Sequence, residues 1–297
     1  MGIGVVGSGT FNVLKRNQQE IHRRAGRGIE ITMVADLDTA RAQATVGPDV
    51  KVVNDARLVI ANPDIDIVIE LIGGYGIAKT LVLEAIAAGK HVVTANKALL
   101  AVHGTEIFAA ASAKGVMVAF EAAVAGGIPI IKALREGLTA NRIQWIAGII
   151  NGTTNFILSE MRSKGLDFDV VLKEAQRLGY AEADPTFDIE GIDAAHKATI
   201  MSAIAFGIPV QFDKAYVEGI TKLSPIKAIA AIGKLETQWE KKAEPAKVET
   251  PVIPKAGAPA PIKPLAAGTG TIQVDPSKMD FKQLRAYEAE RRRNKGR

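Results

Sequence analysis

With 297 residues, 47% of them hydrophobic and 23% charged, the chain has the composition of a soluble globular protein of about two domains, neither wholly disordered nor a membrane bundle. It contains no cysteine, which excludes disulfides, thiolate nucleophiles and cysteine-based zinc or iron–sulfur sites. The net charge of +5 is unevenly placed: residues 1–225 carry 22 Lys+Arg against 24 Asp+Glu, and residues 226–297 carry 15 against 8, so the basic pI says nothing about the main body. No leader-like amino terminus and no uncharged apolar run of about 18 residues is present, and a cytoplasmic location is expected.

The chain opens Gly2-Ile3-Gly4-Val5-Val6-Gly7, a match to G-x-G-x-x-G, in which glycines permit a tight turn and let backbone N–H groups approach a pyrophosphate at a helix N-terminus. Only Met1 precedes it. Either the first strand is missing, or residues 3–6 form a stunted strand and residues 7–9 the turn; a glycine-rich terminus of no consequence is the bland alternative.

Apolar, β-branched runs at residues 29–34, 65–72, 91–94 and 116–120 then alternate with helical patterns at 79–88 and 104–113. This alternation predicts βα units and a parallel sheet covered on both faces. Ligands of such sheets sit at the carboxyl ends of the strands, where Asp36, Gly73, Asn96, Lys97 and Glu121 fall. Asp36 takes the place of the acid that bonds a ribose 2′-hydroxyl, although its separation from Gly7 exceeds the usual ~20 residues. A carboxylate there repels a 2′-phosphate and favours NAD over NADP; a simple turn residue is the competing reading.

After Pro129 the pattern changes. Residues 130–136 read as a helix, 143–150 as a strand, and Asn151-Gly152-Thr153-Thr154-Asn155 as a helix start rich in caps. Residues 169–178 and 191–206 are further helices, and Glu182, Asp184, Asp188, Glu190, Asp193 and Lys197 crowd the segment between and into them. Asp193 and Lys197, four apart, share one face of an apolar helix, where neither charge is stable alone. A lysine among carboxylates beside a dinucleotide domain suits hydroxyl–carbonyl interconversion; a structural Asp–Lys pair is the alternative.

Five segments carry a resemblance: 67–75 (IVIELIGGY), 91–98 (HVVTANKA), 120–129 (FEAAVAGGIP), 149–157 (IINGTTNFI) and 179–207 (GYAEADPTFDIEGIDAAHKATIMSAIAFG). Together, in order and over about residues 2–225, they resemble homoserine dehydrogenase. The resemblance implies an NAD(P)-dependent oxidoreductase interconverting L-homoserine and L-aspartate 4-semialdehyde, in the route to threonine and methionine. It implies a Rossmann-like doubly wound parallel α/β sheet at 1–128, and an incomplete α+β substrate and dimerisation domain at 129–225. By position it makes Lys197 the catalytic proton donor, Glu182, Asp188, Asp193 and Lys97 substrate contacts, and Gly2, Gly4, Val6, Gly7, Asp36, Gly73, Asn96, Lys97 and Gly179 cofactor contacts. Glu121, with the carbonyls of Val124, Gly126 and Ile128, matches a structural sodium site; a cap on the glycine-rich turn is the plainer role for Glu121. A homodimer is the usual assembly of such proteins.

The chain is expected to depart from that family at its first strand and after Pro225, where no effector-binding domain is read. Seven prolines between positions 245 and 276 mark a linker, and 280–297 a short basic helix; 226–297 as a whole is expected to be a disordered tail. A truncated, inactive dehydrogenase-derived chain whose basic tail binds nucleic acid or an acidic protein is the competing class, with a solvated helix the plainer reading of the arginines because no aromatic platform accompanies them.

Overall fold

The computed structural model describes residues 1–223; the proline-rich segment and the basic end expected after Pro225 lie outside the described residues. Two N-terminal helices, α1 (Val5–Arg16) and α2 (Gln18–Ala25), precede β1 (Met33–Ala35). Then follow α3 (Thr39–Val46), β2 (Lys51–Val53), α4 (Arg57–Ala61), β3 (Ile67–Glu70), α5 (Ile77–Ala87), β4 (His91–Thr94), α6 (Lys97–Lys114), β5 (Val118–Ala119) and α7 (Glu121–Val124). Every ladder is parallel. Met33 stands opposite Lys51 in β1–β2, Ile67 opposite His91 in β3–β4, and Val92 opposite Val118 in β4–β5.

The ladders form a two-stranded piece, β1–β2, and a three-stranded one, β3–β4–β5. Met1 and Gly2 join them. The Met1 nitrogen donates to the Ile69 carbonyl (2.7 Å), Leu71 N–H donates to the Met1 carbonyl (2.9 Å), and Gly2 N–H donates to the Ala35 carbonyl (2.9 Å). The first two bonds are those of a parallel bridge opposite Glu70. Of the two readings of the amino terminus, the stunted strand at 3–6 is not formed: Gly2 to Gly4 make the turn, helix begins at Val5, and Met1 and Gly2 bond to the strands on either side. Positive φ at Gly2 (85°) makes that sharp reversal possible, and a Cβ there would lie 2.6 Å from the Leu71 carbonyl oxygen.

Apolar side chains on both sides of the strands build the main core: Val68 and Val92 from the sheet, Leu81, Val82 and Ile86 from α5, and Leu99, Leu100 and Ile107 from α6. A smaller cluster of Ile3, Phe11, Val34, Ala42 and Val46 seats α1 and α3 on β1.

Beyond α7 come α8 (Ile130–Lys132) running into a π-turn (Ala133–Gly137), then α9 (Gly152–Lys164), α10 (Phe168–Arg177), α11 (Thr186–Ile189) and α12 (Ile192–Phe206). Ile157, Met161, Phe168, Val171 and Ile189 close a separate core among α9, α10 and α11. Ile200 and Met201 of α12 belong instead to the main core, so α12 lies on α6 and ties the second region to the first. The strand expected at 143–150 is not formed: 142–150 runs without regular structure and its backbone joins no ladder among the described residues. No described helix is long and apolar enough to cross a membrane.

Candidate active site

Three helix starts converge on one buried carboxylate. Asn96 caps α6 by accepting Leu99 N–H (3.1 Å), which sets Lys97 at the first helical position, beside the carboxyl end of β4. Asn151 caps α9, accepting Thr154 N–H (2.8 Å). Asp193 lies in the first turn of α12, which a left-handed Gly191 (φ 79°) allows to start abruptly.

Asp193 is 4% exposed, and its two oxygens receive different donors. Lys97 Nζ lies 2.8 Å from Oδ1; Lys197 Nζ lies 2.7 Å and Asn151 Nδ2 3.0 Å from Oδ2. Burial alone would raise the carboxyl's pKa, but the donors from Lys197, Lys97 and Asn151 outweigh it and hold Asp193 below the usual carboxylate range. Lys197 also donates to the Ile150 carbonyl (2.9 Å). Asp188, half-buried, accepts from Asn151 Nδ2 (2.7 Å), with Thr153 Oγ1 at 3.0 Å. The expected Asp–Lys pair is thus formed and joined by Lys97, 96 positions upstream of Asp193, a contact that helical spacing does not foretell.

Glu182 stands apart. It is exposed, and among the described residues its carboxylate has no hydrogen bond or ion pair; its backbone carbonyl receives Gln176 Nε2 (3.1 Å). Gly179 is the left-handed residue (φ 78°) that turns the chain out of α10 toward it.

Along the carboxyl edge of the sheet, Glu70, 0% exposed, organises the turns. Its Oε1 accepts Ile72 N–H (2.8 Å) and Gly73 N–H (3.2 Å), and its Oε2 accepts the Thr94 hydroxyl (2.7 Å). Thr94 Oγ1 in turn accepts Asn96 N–H (2.9 Å), and Asn96 Nδ2 donates to the Gly74 carbonyl. Gly73 and Asn96 are so fixed side by side. Glu70 was not singled out from the sequence; a lone acid ending a continuous apolar strand was the available signal.

At the far end of the edge, Asp36 Oδ2 accepts Ile3 N–H (2.7 Å) and Oδ1 accepts Asp38 N–H (3.0 Å), with Arg41 Nη2 at 3.4 Å. Against the cost of burial, these donors hold its carboxyl below the ordinary value. Gly7 is buried against the turn, where a Cβ would meet the Gly2 carbonyl oxygen at 2.2 Å. Gly4 and the exposed Val5 and Val6 open α1, which has no side-chain cap. An uncapped twelve-residue helix start beside glycines suits a pyrophosphate, and the donor set fits a dinucleotide. Past Asp36 an open cavity of about 540 Å³ is lined by Thr39, Ala40, Gln43, Val52, Val53, Asn54 and Leu58, with none of Lys97, Asp193 or Lys197 in its wall.

Glu121 spans the start of α8: Oε1 accepts Ile131 N–H (2.7 Å) and Oε2 accepts Lys132 N–H (3.0 Å). The Ile128 carbonyl accepts Ile130 N–H (2.8 Å). Glu121 thus caps the start of α8, just past the glycine-rich turn, and among the described residues no group of three or more His, Asp or Glu is placed to hold a metal ion. One carboxylate with the carbonyls of Val124, Gly126 and Ile128 is still an all-oxygen donor set of the kind a hard cation takes.

Comparison with known proteins places this geometry. Residues 2–121 match the family model "Homoserine dehydrogenase, NAD binding domain", and residues 129–274 match "Homoserine dehydrogenase". A homoserine dehydrogenase of Pseudomonas aeruginosa is 67% identical over 229 residues, covering 75% of this chain and 51% of the relative. One from Corynebacterium glutamicum is 42% identical over 266 residues, covering 86% and 60%. The crystal structure of a homoserine dehydrogenase from Thiobacillus denitrificans superposes with TM-score 0.73 at 66% identity, over 78% of this chain and 54% of that one. A hyperthermophilic archaeal homoserine dehydrogenase in complex with NADPH gives 0.63 at 26% identity, over 75% and 73%. This chain spans about half the length of the curated relatives it matches. Matching both family models in order, and close in sequence and fold to these relatives, the chain belongs to the homoserine dehydrogenase family.

Proposed function

We infer that the chain carries the cofactor and substrate ends of an NAD(P)-dependent oxidoreductase that interconverts L-homoserine and L-aspartate 4-semialdehyde. The observation that supports this best is the buried Asp193 carboxylate held between Lys97 (2.8 Å) and Lys197 (2.7 Å), from helices of the two matched regions. The nicotinamide cofactor, when bound, supplies the hydride chemistry. The chain's own residues bind, orient and move a proton. As an ammonium, Lys197 gives a proton to the aldehyde oxygen as the semialdehyde is reduced, and the amine so left takes the hydroxyl proton back when the alcohol is oxidised. Lys97 faces both ligands from the carboxyl edge, and Glu182, with Asp188, holds the substrate ammonium. Gly2, Gly4, Val6 and Gly7 receive the pyrophosphate, while Gly73, Asn96 and Gly179 line the nicotinamide side.

Asp36 favours NAD, because a fixed carboxylate repels a 2′-phosphate; Arg41 beside it is a cation that a phosphate could recruit. A sodium ion is assigned to Glu121 and the carbonyls of Val124, Gly126 and Ile128. Replacing sodium by choline in the buffer then lowers the melting temperature, and an unchanged value removes the ion. A second copy of the chain in a homodimer and a cytoplasmic location complete the reading.

Reduction of L-aspartate 4-semialdehyde by NADH or NADPH, followed by absorbance, tests it. Lys197→Ala is expected to lower the rate by ~10²–10⁴-fold, the range of a lost general acid–base group. Equal rates in wild type and variant overturn the assignment.

A further inference from the structure

Ile150 and Asn151 together grip both members of the Asp193–Lys197 pair. The Ile150 carbonyl accepts one Lys197 N–H (2.9 Å), and Asn151 Nδ2 donates to Asp193 Oδ2 (3.0 Å), the same oxygen that receives a second Lys197 N–H. An ammonium has three hydrogens. Two are committed here, so one is left for a substrate oxygen, and its direction is fixed by the other two.

The orientation of the Asn151 amide is itself determined. Its Oδ1 accepts Thr154 N–H (2.8 Å) and the Thr154 hydroxyl (2.9 Å) at the start of α9, so its NH₂ end must face the acids. The two hydrogens reach two carboxylates from different helices, Asp188 Oδ1 at 2.7 Å and Asp193 Oδ2 at 3.0 Å. Unbridged, those like charges would separate or take up a proton. Asn151 is 8% exposed, so no bulk water substitutes for it.

We propose that Asn151 is a positioning residue: it locks Asp188 and Asp193 in register and holds Asp193 against Lys197, leaving a single Lys197 N–H for the substrate. The proposal rests on the dehydrogenase reading for its kinetic consequence, and on geometry alone for its electrostatic one. The charged groups facing Asp193 are Lys97 from α6, Lys197 from its own helix and Asp188 from α11, and the titratable group beside it is the buried, neutral His196.

Cap and clamp are separable, because serine and threonine both cap a helix and neither offers an amide NH₂. Asn151→Ser is expected to keep the melting temperature within a few degrees of wild type, whereas Asn151→Ala loses cap and clamp and melts lower. In Asn151→Ser, kcat is expected to fall ~10–100-fold, the range for removing an outer partner or a charge-assisted bond, with KM for the semialdehyde changed much less. In the unliganded protein, ¹³C NMR titration of the aspartate carboxyls is expected to place the Asp193 midpoint at higher pH in Asn151→Ser than in wild type. Asn151→Thr, which also caps a helix, has no amide NH₂ and adds no charge, is the second variant should the serine protein fold poorly, with the same direction of change. An unmoved Asp193 midpoint, or kcat within twofold of wild type, overturns the proposal. A wild-type chain that turns over no semialdehyde overturns the dehydrogenase reading instead, and the carboxyl titration then decides the clamp by itself.

Discussion

His196 is 4% exposed, its ring packs edge-on to Phe212 at 4.4 Å, and its Nδ1 has no hydrogen-bond partner among the described residues. Burial first, and the nearby Lys97 charge second, lower its pKa. The folded chain therefore keeps the imidazole neutral where the unfolded chain, with an ordinary value of ~6.5, takes up a proton. Stability from this residue is full above that value and is lost as pH falls toward the folded value. Urea unfolding is expected to show a midpoint that declines from pH 7.5 to pH 5.5, and His196→Gln to flatten the decline; identical slopes refute the assignment. Glu70 is the second case at this scale. Removing its carboxylate strands the N–H groups of Ile72 and Gly73 and the Thr94 hydroxyl. At ~1–3 kcal/mol for each buried orphan, Glu70→Ala is expected to lose at least about 2 kcal/mol in chemical denaturation, with Glu70→Gln losing less because its carbonyl still accepts the two N–H groups.

Helix starts carry the site, and glycine decides one of them. Gly7 lies where a Cβ would be 2.2 Å from the Gly2 carbonyl, so Gly7→Ala must displace the turn that begins α1. The expected outcome is at least tenfold weaker NADH binding by fluorescence titration, with a lower melting temperature; unchanged affinity shows that the turn does not receive the cofactor. Asn151 ahead of its helix announced α9, because an N-cap is a local interaction readable from neighbouring residues, whereas the pattern at 104–113 showed only the later part of α6 and not its start at the Asn96 cap. Residues 143–150 read as a strand for the same local reason and were not one, since a strand exists only in a ladder and no described segment supplies the partner. The short β2 went unread: three residues of half-buried character give no periodicity to detect.

Across the molecule, the carboxyl edge of the strands, where the cofactor is proposed to bind, runs from Asp36 through the Met1–Gly2 bridge to Asn96. Ligand binding along it stabilises the folded chain by about 2.7 kcal/mol at a hundred times Kd, which thermal melting resolves. At equal concentration NAD is expected to raise the melting temperature more than NADP, because the Asp36 carboxylate is pinned as an anion by Ile3 and Asp38. An equal or larger shift with NADP refutes that preference and points to Arg41.

The amino-acid order by itself determined the parallel α/β plan, the carboxyl-edge residues Asp36, Gly73, Asn96 and Lys97, and the Asp193–Lys197 pair, since each follows from periodicity, turn chemistry or a four-residue helical spacing. Tertiary structure alone decided that Met1 and Gly2 bridge the two ladders, that Glu121 accepts two N–H groups at the start of α8, and that the Glu182 carboxylate is exposed with no hydrogen bond or ion pair among the described residues. It also decided that Lys97 and Asn151 meet Asp193, because α12 packs on α6 through Ile200 and Met201 of the main core. Contacts of that kind join residues tens of positions apart, and they are set by which apolar faces close on one another, a choice that no local pattern encodes.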